Sequence, residues 1–125
     1  MTLTTLRDEP DRLDAVADIL CAAVIADEYV AAQELEVVRT RLELLLGLEV
    51  LPEAVRARME RFDRKSFDLA HAVGRLGLEA DEDREELLAA ALDVVVADRF
   101  VDTSEYGFIA ELAERLGLPV PSQLR

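Results

Sequence analysis

Cysteine is almost missing from this chain: Cys21 stands alone, so no intramolecular disulfide can form. It lies in a stretch rich in Ala, Val and Ile, where a buried, inert thiol is expected. Tryptophan is absent, aromatic residues make up only 5% of the chain, and His71 is the one histidine. A lone histidine between Ala70 and Ala72, with no cysteine or second histidine beside it, supplies no zinc cluster. No Gly-x-Ser-x-Gly elbow and no phosphate-binding glycine loop occurs; Gly74 and Gly77 interrupt a helix end instead. Nucleophilic and phosphoryl-transfer chemistry therefore have no visible apparatus, and no enzymatic activity is expected. No apolar run approaches the roughly 18 residues of a membrane span. Residues 1–7 lack a basic region followed by an apolar core, so no signal peptide is expected and the predicted location is cytoplasmic.

Positive charge is scarce as well. Fourteen Lys and Arg face 27 Asp and Glu, leaving a net charge of −13 with His neutral. Such a surface repels phosphate backbones and anionic membranes, which argues against nucleic acid as a partner and against membrane insertion. Basic proteins, cationic peptides and divalent cations remain compatible with it. The one locally basic stretch, Arg56–Lys65, either docks an acidic partner or forms the exposed side of a helix, and the second reading is favoured.

What the chain has is aliphatic residues at helical spacing. Hydrophobic residues make up 51% of it, mostly Leu, Val and Ala, and Ala and Leu are strong helix formers. At 125 residues it suits one domain able to bury a core without disulfide or metal. After a leader over residues 1–9, Pro10 opens a first helix predicted to reach about Asp27, with Leu13, Val16, Leu20, Ala23 and Val24 inward. Tyr29 and Val30 form an extended step. A second helix follows from Ala32 to Leu46, burying Leu35, Val38, Leu42, Leu45 and Leu46 and stopping at Gly47. Pro52 opens a third helix ending near Phe62, with Val55, Met59 and Phe62 on one stripe. Ser66 is predicted to cap a fourth, which buries Leu69, Val73 and Leu76 and stops at Gly77. Asp81 is predicted to cap a fifth, whose run of carboxylates through Glu86 reads as a solvated helix start. That helix continues to about Asp98 and contains Val94-Val95-Val96, the only β-like run. Asp102 and Glu105 resemble a capping box for the sixth, which buries Phe108, Ile109, Leu112 and Leu116 and stops at Gly117. Pro119 and Pro121 prevent further helix, leaving residues 119–125 as a tail. The expected fold is all-α: a bundle of six to seven helices spanning residues 10–118.

Two stretches of this bundle repeat. Ala26-Asp27, Tyr29-Val30 and Glu34 match Ala97-Asp98, Phe100-Val101 and Glu105 at a constant offset of 71 residues. The helix ends Gly47-Leu48 and Gly117-Leu118 match at 70, so one residue is lost within the second copy. The shared pattern is Ala-Asp-x-aromatic-Val-x-x-x-Glu followed by an amphipathic helix ending in Gly-Leu. It resembles the TerB-like family, named for bacterial tellurite-resistance proteins and found also beside DnaJ-like co-chaperones. The resemblance covers residues 10–118. It implies a compact helical domain built from two helix–turn–helix units and a role in bacterial envelope or metal stress. It also carries Asp27, Glu34, Asp98 and Glu105 onto the family's acidic positions, for which a divalent-metal role is implied. The family's glycine is replaced by Glu28 and Arg99, so both turns must form without a residue that freely adopts positive φ.

Physically, Asp27 and Asp98 stand at helix C-termini, where partial negative charge already gathers. Two arrangements compensate. In one, each Asp accepts backbone N–H bonds in an Asx-turn while Glu34 and Glu105 cap their own helices. In the other, Asp and Glu oxygens hold a hard cation, favouring Mg²⁺, Ca²⁺ or Mn²⁺. The structural arrangement is favoured. An EF-hand loop is excluded, because counting from Asp98 the third, sixth and twelfth positions are Phe100, Thr103 and Ile109. The expected function is a non-enzymatic module that contacts a protein partner through its acidic turns, with a divalent-cation sensor as the alternative.

Overall fold

The first helix, α1 (Pro10–Val24), is apolar over most of its circumference, and that decides its place. Leu13, Val16, Ile19, Leu20 and Cys21 are all buried, and Ala15, Ala17, Ala22 and Ala23 are buried beside them. Only a narrow polar stripe, Asp11, Arg12, Asp14 and Asp18, stays in reach of water, so the rest of the helix belongs inside, and its small alanine flanks let neighbouring helices approach closely. In the computed structural model, which describes residues 9–24, 32–96 and 103–120, α1 touches each of the other five helices. Of these residues, the side chains of 24, 32–34, 64, 96 and 103–106 fall outside the description. Around α1 stand α2 (Ala32–Leu46), α3 (Glu53–Glu60), α4 (Leu69–Leu76), α5 (Asp81–Val96) and α6 (Thr103–Leu116). A single 3₁₀ turn, Arg64–Ser66, precedes α4.

The outer helices each give one stripe to a shared core. Val38, Leu42, Leu45 and Leu46 of α2, Leu87 to Leu92 and Val94-Val95 of α5 except exposed Ala89, and Phe108, Ile109, Leu112 and Leu116 of α6 are all buried. Each fully buried Leu or Ile contributes about 1.5–3 kcal/mol by leaving water. Polar side chains then tie the helices at their margins. Arg12 Nε donates to the Leu76 carbonyl at 2.8 Å and Arg75 donates to the Asp11 carbonyl at 2.9 Å, joining α1 to α4. Arg41 meets Asp93 at 3.0 Å, joining α2 to α5.

The repeat read from the sequence is present in the backbone. The helices α2 and α6 start at Ala32 and Thr103, the same 71-residue offset, and contain 15 and 14 residues. Each ends on the same cap. The Gly47 and Gly117 amides bond to the Leu44 and Glu114 carbonyls, and the Leu48 and Leu118 amides reach back to Glu43 and Ala113 at 2.9 and 2.8 Å. This is the Schellman motif, and it requires the positive φ of 67° and 73° that the two glycines adopt. The α4 end is simpler, with one bond from the Gly77 amide to Val73.

Several local expectations are corrected. The fourth helix does not start at Ser66. The Ser66 hydroxyl instead donates to Asp63 at 2.8 Å, closing the 3₁₀ turn, and Asp68 caps α4 by accepting from the His71 amide at 3.1 Å. A carboxylate accepts from backbone N–H more strongly than a hydroxyl, so the later residue takes the cap. The third helix ends at Glu60, and Phe62 lies beyond it, half-buried, with its ring centroid 5.8 Å from that of Phe67. Asp81 is the first residue inside α5 rather than its cap, since the Ala80 carbonyl already accepts from the Arg84 amide at 3.2 Å. The carboxylate run behind it is not wholly solvated either, because Asp83 is buried. The far ends of the first and fifth helices, the Tyr29-Val30 step and the Asp102 cap lie outside the described residues.

Candidate functional site

Asp27 and Asp98 lie outside the described residues, and so do the side chains of Glu34 and Glu105. The backbone nevertheless places the two glutamates: each is the third residue of its helix, Glu34 in α2 and Glu105 in α6. That is the position from which a Glu side chain can reach back to the start of its own helix, as in a capping box. The two glutamates thus stand at matched positions of the two helix starts.

Among the described residues no group of three or more His, Cys, Asp or Glu side chains is placed to hold a metal ion. Two carboxylates of α1 meet one arginine of α3. Arg58 Nε and Nη2 donate to the two Asp18 oxygens at 2.9 and 2.8 Å, and Asp14 stands 3.8 Å from Nη1. The Asp18 hydrogen bonds hold the guanidinium above its ordinary pKa. This pair borders a cleft of about 360 Å³ lined also by Arg61, Phe62, Asp63 and Phe67. Asp63 is held below the usual carboxylate range by the Ser66 hydroxyl and the Lys65 amide. Within the basic stretch, Arg58 is therefore committed to Asp18, whereas Arg56 and Arg61 are exposed. Cys21, one turn beyond Asp18, has its thiol pushed up to about 12 by burial and then by Asp18. At neutral pH it is not a nucleophile. His71 is exposed on α4.

A second cavity, about 650 Å³, lies where α4 hands over to α5 and includes Arg12, Arg75, Gly77 and Asp83. Its arginines are engaged with backbone: Arg12 and Arg75 as above, while Arg84 next to it donates to the Leu78 carbonyl at 2.9 Å. Arg12 and Arg84 satisfy carbonyls at and beyond the C-terminus of α4, where the dipole favours cations, whereas Arg75 reaches the first turn of α1. The cavity is a structural junction.

The third feature is one that the sequence reading missed. Val37, Thr40 and Leu44 of α2 and Val94 of α5 line an apolar groove of about 370 Å³, with Glu36, Arg41 and Asp93 at its edges. Leu44 is 69% exposed. The signal was available in Leu44-Leu45-Leu46: successive helical residues turn by about 100°, so three leucines in a row cannot all face one core. Leu45 and Leu46 do so, and Leu44 is left outside.

No helix among the described residues is long and apolar enough to cross a membrane. Compared with known families, the chain matches the model of the family described as "Tellurite resistance protein TerB" over residues 12–123. Searches among curated proteins and among solved structures return no match.

Proposed function

The chain belongs to the TerB family, and on that premise we propose that it is a non-enzymatic interaction module, cytoplasmic and acting in a bacterial envelope or metal stress response. Its two acidic turns, Asp27 with Glu34 and Asp98 with Glu105, contact a protein partner. The observation that carries this reading is the duplication: helices offset by 71 residues and closed by the same glycine cap, each preceded in the sequence by the repeated Ala-Asp-x-aromatic-Val stretch. Two like-charged turns on one rigid bundle suit a basic surface on the partner, and the net charge of −13 steers such a surface toward them. The test is capture of partners by the full chain and by an Asp27→Asn/Asp98→Asn variant, each with and without EDTA. A partner retained by the full chain in EDTA and lost by the variant supports the reading. If no partner depends on the two aspartates, it fails.

The alternative, a divalent-cation sensor, draws on the same residues, whose all-carboxylate donor set suits a hard cation such as Mg²⁺, Ca²⁺ or Mn²⁺. Thermal unfolding in EDTA and then in each cation, at matched ionic strength, separates it from the first reading. At about a hundred times the dissociation constant, binding stabilises by roughly 2.7 kcal/mol, a rise of several degrees in Tm. A rise with one cation that vanishes in Asp98→Asn favours the sensor.

A further inference from the structure

Among the described residues one apolar groove stands open on the bundle. Val37, Thr40, Arg41 and Leu44 follow one another along the side of α2 away from the buried Leu42, and Val94 of α5, itself almost fully buried, lines the groove beside them. Leu44 and Val50 are the large hydrophobic residues that stand exposed among the described ones. Helix geometry does not demand an apolar residue there: counted back from the matching glycine caps, the position equivalent to Leu44 in α6 is Glu114, which is exposed to water. The edges of the groove carry two carboxylates, Glu36 and Asp93, together with Arg41. Glu36 and Asp93 keep 65% and 60% of their side chains exposed although an arginine touches each.

We propose that this groove docks a positively charged amphipathic helix of a partner protein. The proposal rests on the interaction-module reading but uses a different surface from the acidic turns. An apolar stripe with i, i+4, i+7 spacing covers Leu44, Val37 and Val94, while flanking Lys or Arg side chains meet Glu36 and Asp93. The field of a chain with net charge −13 draws in such a helix. The same charge disfavours a second copy on the groove, since it would bring two strongly acidic chains together.

The test is fluorescence anisotropy of a labelled synthetic leucine–lysine peptide patterned as an amphipathic helix, titrated with the full chain. A scrambled peptide of the same composition is the control. The patterned peptide is expected to bind more tightly than the scrambled one, and Leu44→Glu is expected to weaken it by about tenfold or more, the scale of a central anchor residue. Leu44→Glu adds negative charge, which by itself would strengthen binding of a cationic peptide, so the loss reports the apolar contact. An unchanged Tm shows that the variant is folded. Equal binding of both peptides, equal binding by Leu44→Glu, or no binding overturns the proposal. So does sedimentation showing a dimer that Leu44→Glu dissociates, which would make the occupant a second copy. An Asp27→Asn/Asp98→Asn variant separates the two surfaces. If it alone loses the peptide, docking lies at the turns: the groove falls and the interaction-module reading stands. If partners depend on Leu44 and not on the two aspartates, the groove stands and the turns fall.

Discussion

Counted back from their glycine caps, Val38, Leu42 and Leu46 of α2 correspond to Phe108, Leu112 and Leu116 of α6, and all six are buried. On either side of this common seam the two helices part company. Where α6 buries Ile109 and Ala113, α2 carries Arg39 and Glu43; where α2 buries Leu45, α6 carries the exposed Arg115. A step of one residue turns a helix by about 100°, so each helix leans to a different flank of the same seam. The repeat has kept the parts that set helix length and position, namely the start, the seam and the cap. Its flanks were left free to diverge, and the exposed groove arises on a diverged flank.

The sharpest way to break this comparison is at the seam. Leu42 and Leu112 are both fully buried, so Leu42→Ala and Leu112→Ala are each expected to destabilise the fold by about 2–5 kcal/mol, read by urea denaturation. Similar costs mean that the two units share the core equally. A cost below about 1 kcal/mol at one site would show a unit that yields locally, and the equivalence would fail.

The caps give the next largest effect, with opposite signs inside one helix. Gly117 sits at φ 73°, where a Cβ is strained, so Gly117→Ala should cost about 1–2 kcal/mol. Gly107 lies within α6, and a Cβ there would meet nothing within 4 Å, so Gly107→Ala should stabilise by about 0.5–1 kcal/mol. Thermal unfolding of the two variants checks both. Stabilisation by Gly117→Ala would mean that the Schellman cap does not set the end of the repeat.

Helix stops were legible because one residue type decides them locally: Gly47, Gly77 and Gly117 all adopt the positive φ expected of a stop. The family pattern and the offset of 71 were legible for a similar reason, being carried by short local motifs. Starts were less legible, because several acceptors compete. Ser66 and Asp68 both stood ready to cap α4, and the outcome turned on Asp63 drawing the Ser66 hydroxyl into another turn. The burial of Asp83 and the pairing of Arg58 with Asp18, 40 residues apart, depend on how helices meet, which no local pattern encodes. The same holds for the groove: a leucine run shows that one leucine must face outward, but Val94 of α5 completes the surface only in the packed bundle.

The diverged flank of α2 predicts an effect of the same size as the Gly117 cap. Glu43 accepts from Arg39 and also, at 3.1 Å, from the amide of Leu51, a residue only 1% exposed. Glu43→Ala leaves that amide without its acceptor and should cost about 1–2 kcal/mol in urea denaturation. Glu36→Ala, which removes an exposed partner of the same Arg39, should cost less. An equal cost would mean that the ion pair, and not the Leu51 amide, is what Glu43 contributes.

The smallest effect on stability is expected where the two helices differ most in character. Leu44→Glu and Glu114→Leu exchange the outward residues of α2 and α6, and neither side chain belongs to the core. Each should change stability by no more than about 0.5 kcal/mol, as surface substitutions usually do. Their surfaces should nevertheless respond in opposite senses. Leu44→Glu removes an apolar side chain from the groove, whereas Glu114→Leu places one on a helix whose neighbouring Glu111 and Arg115 are exposed and ion-paired. Binding of an apolar dye to the folded chain, measured beside Tm, tests this: Leu44→Glu should lower it, and Glu114→Leu should not build a matching site. If Glu114→Leu binds the dye as the natural groove does, an exposed leucine alone is enough. The groove would then owe nothing to Val37 and Val94, and the divergence of α2 would be a matter of one residue.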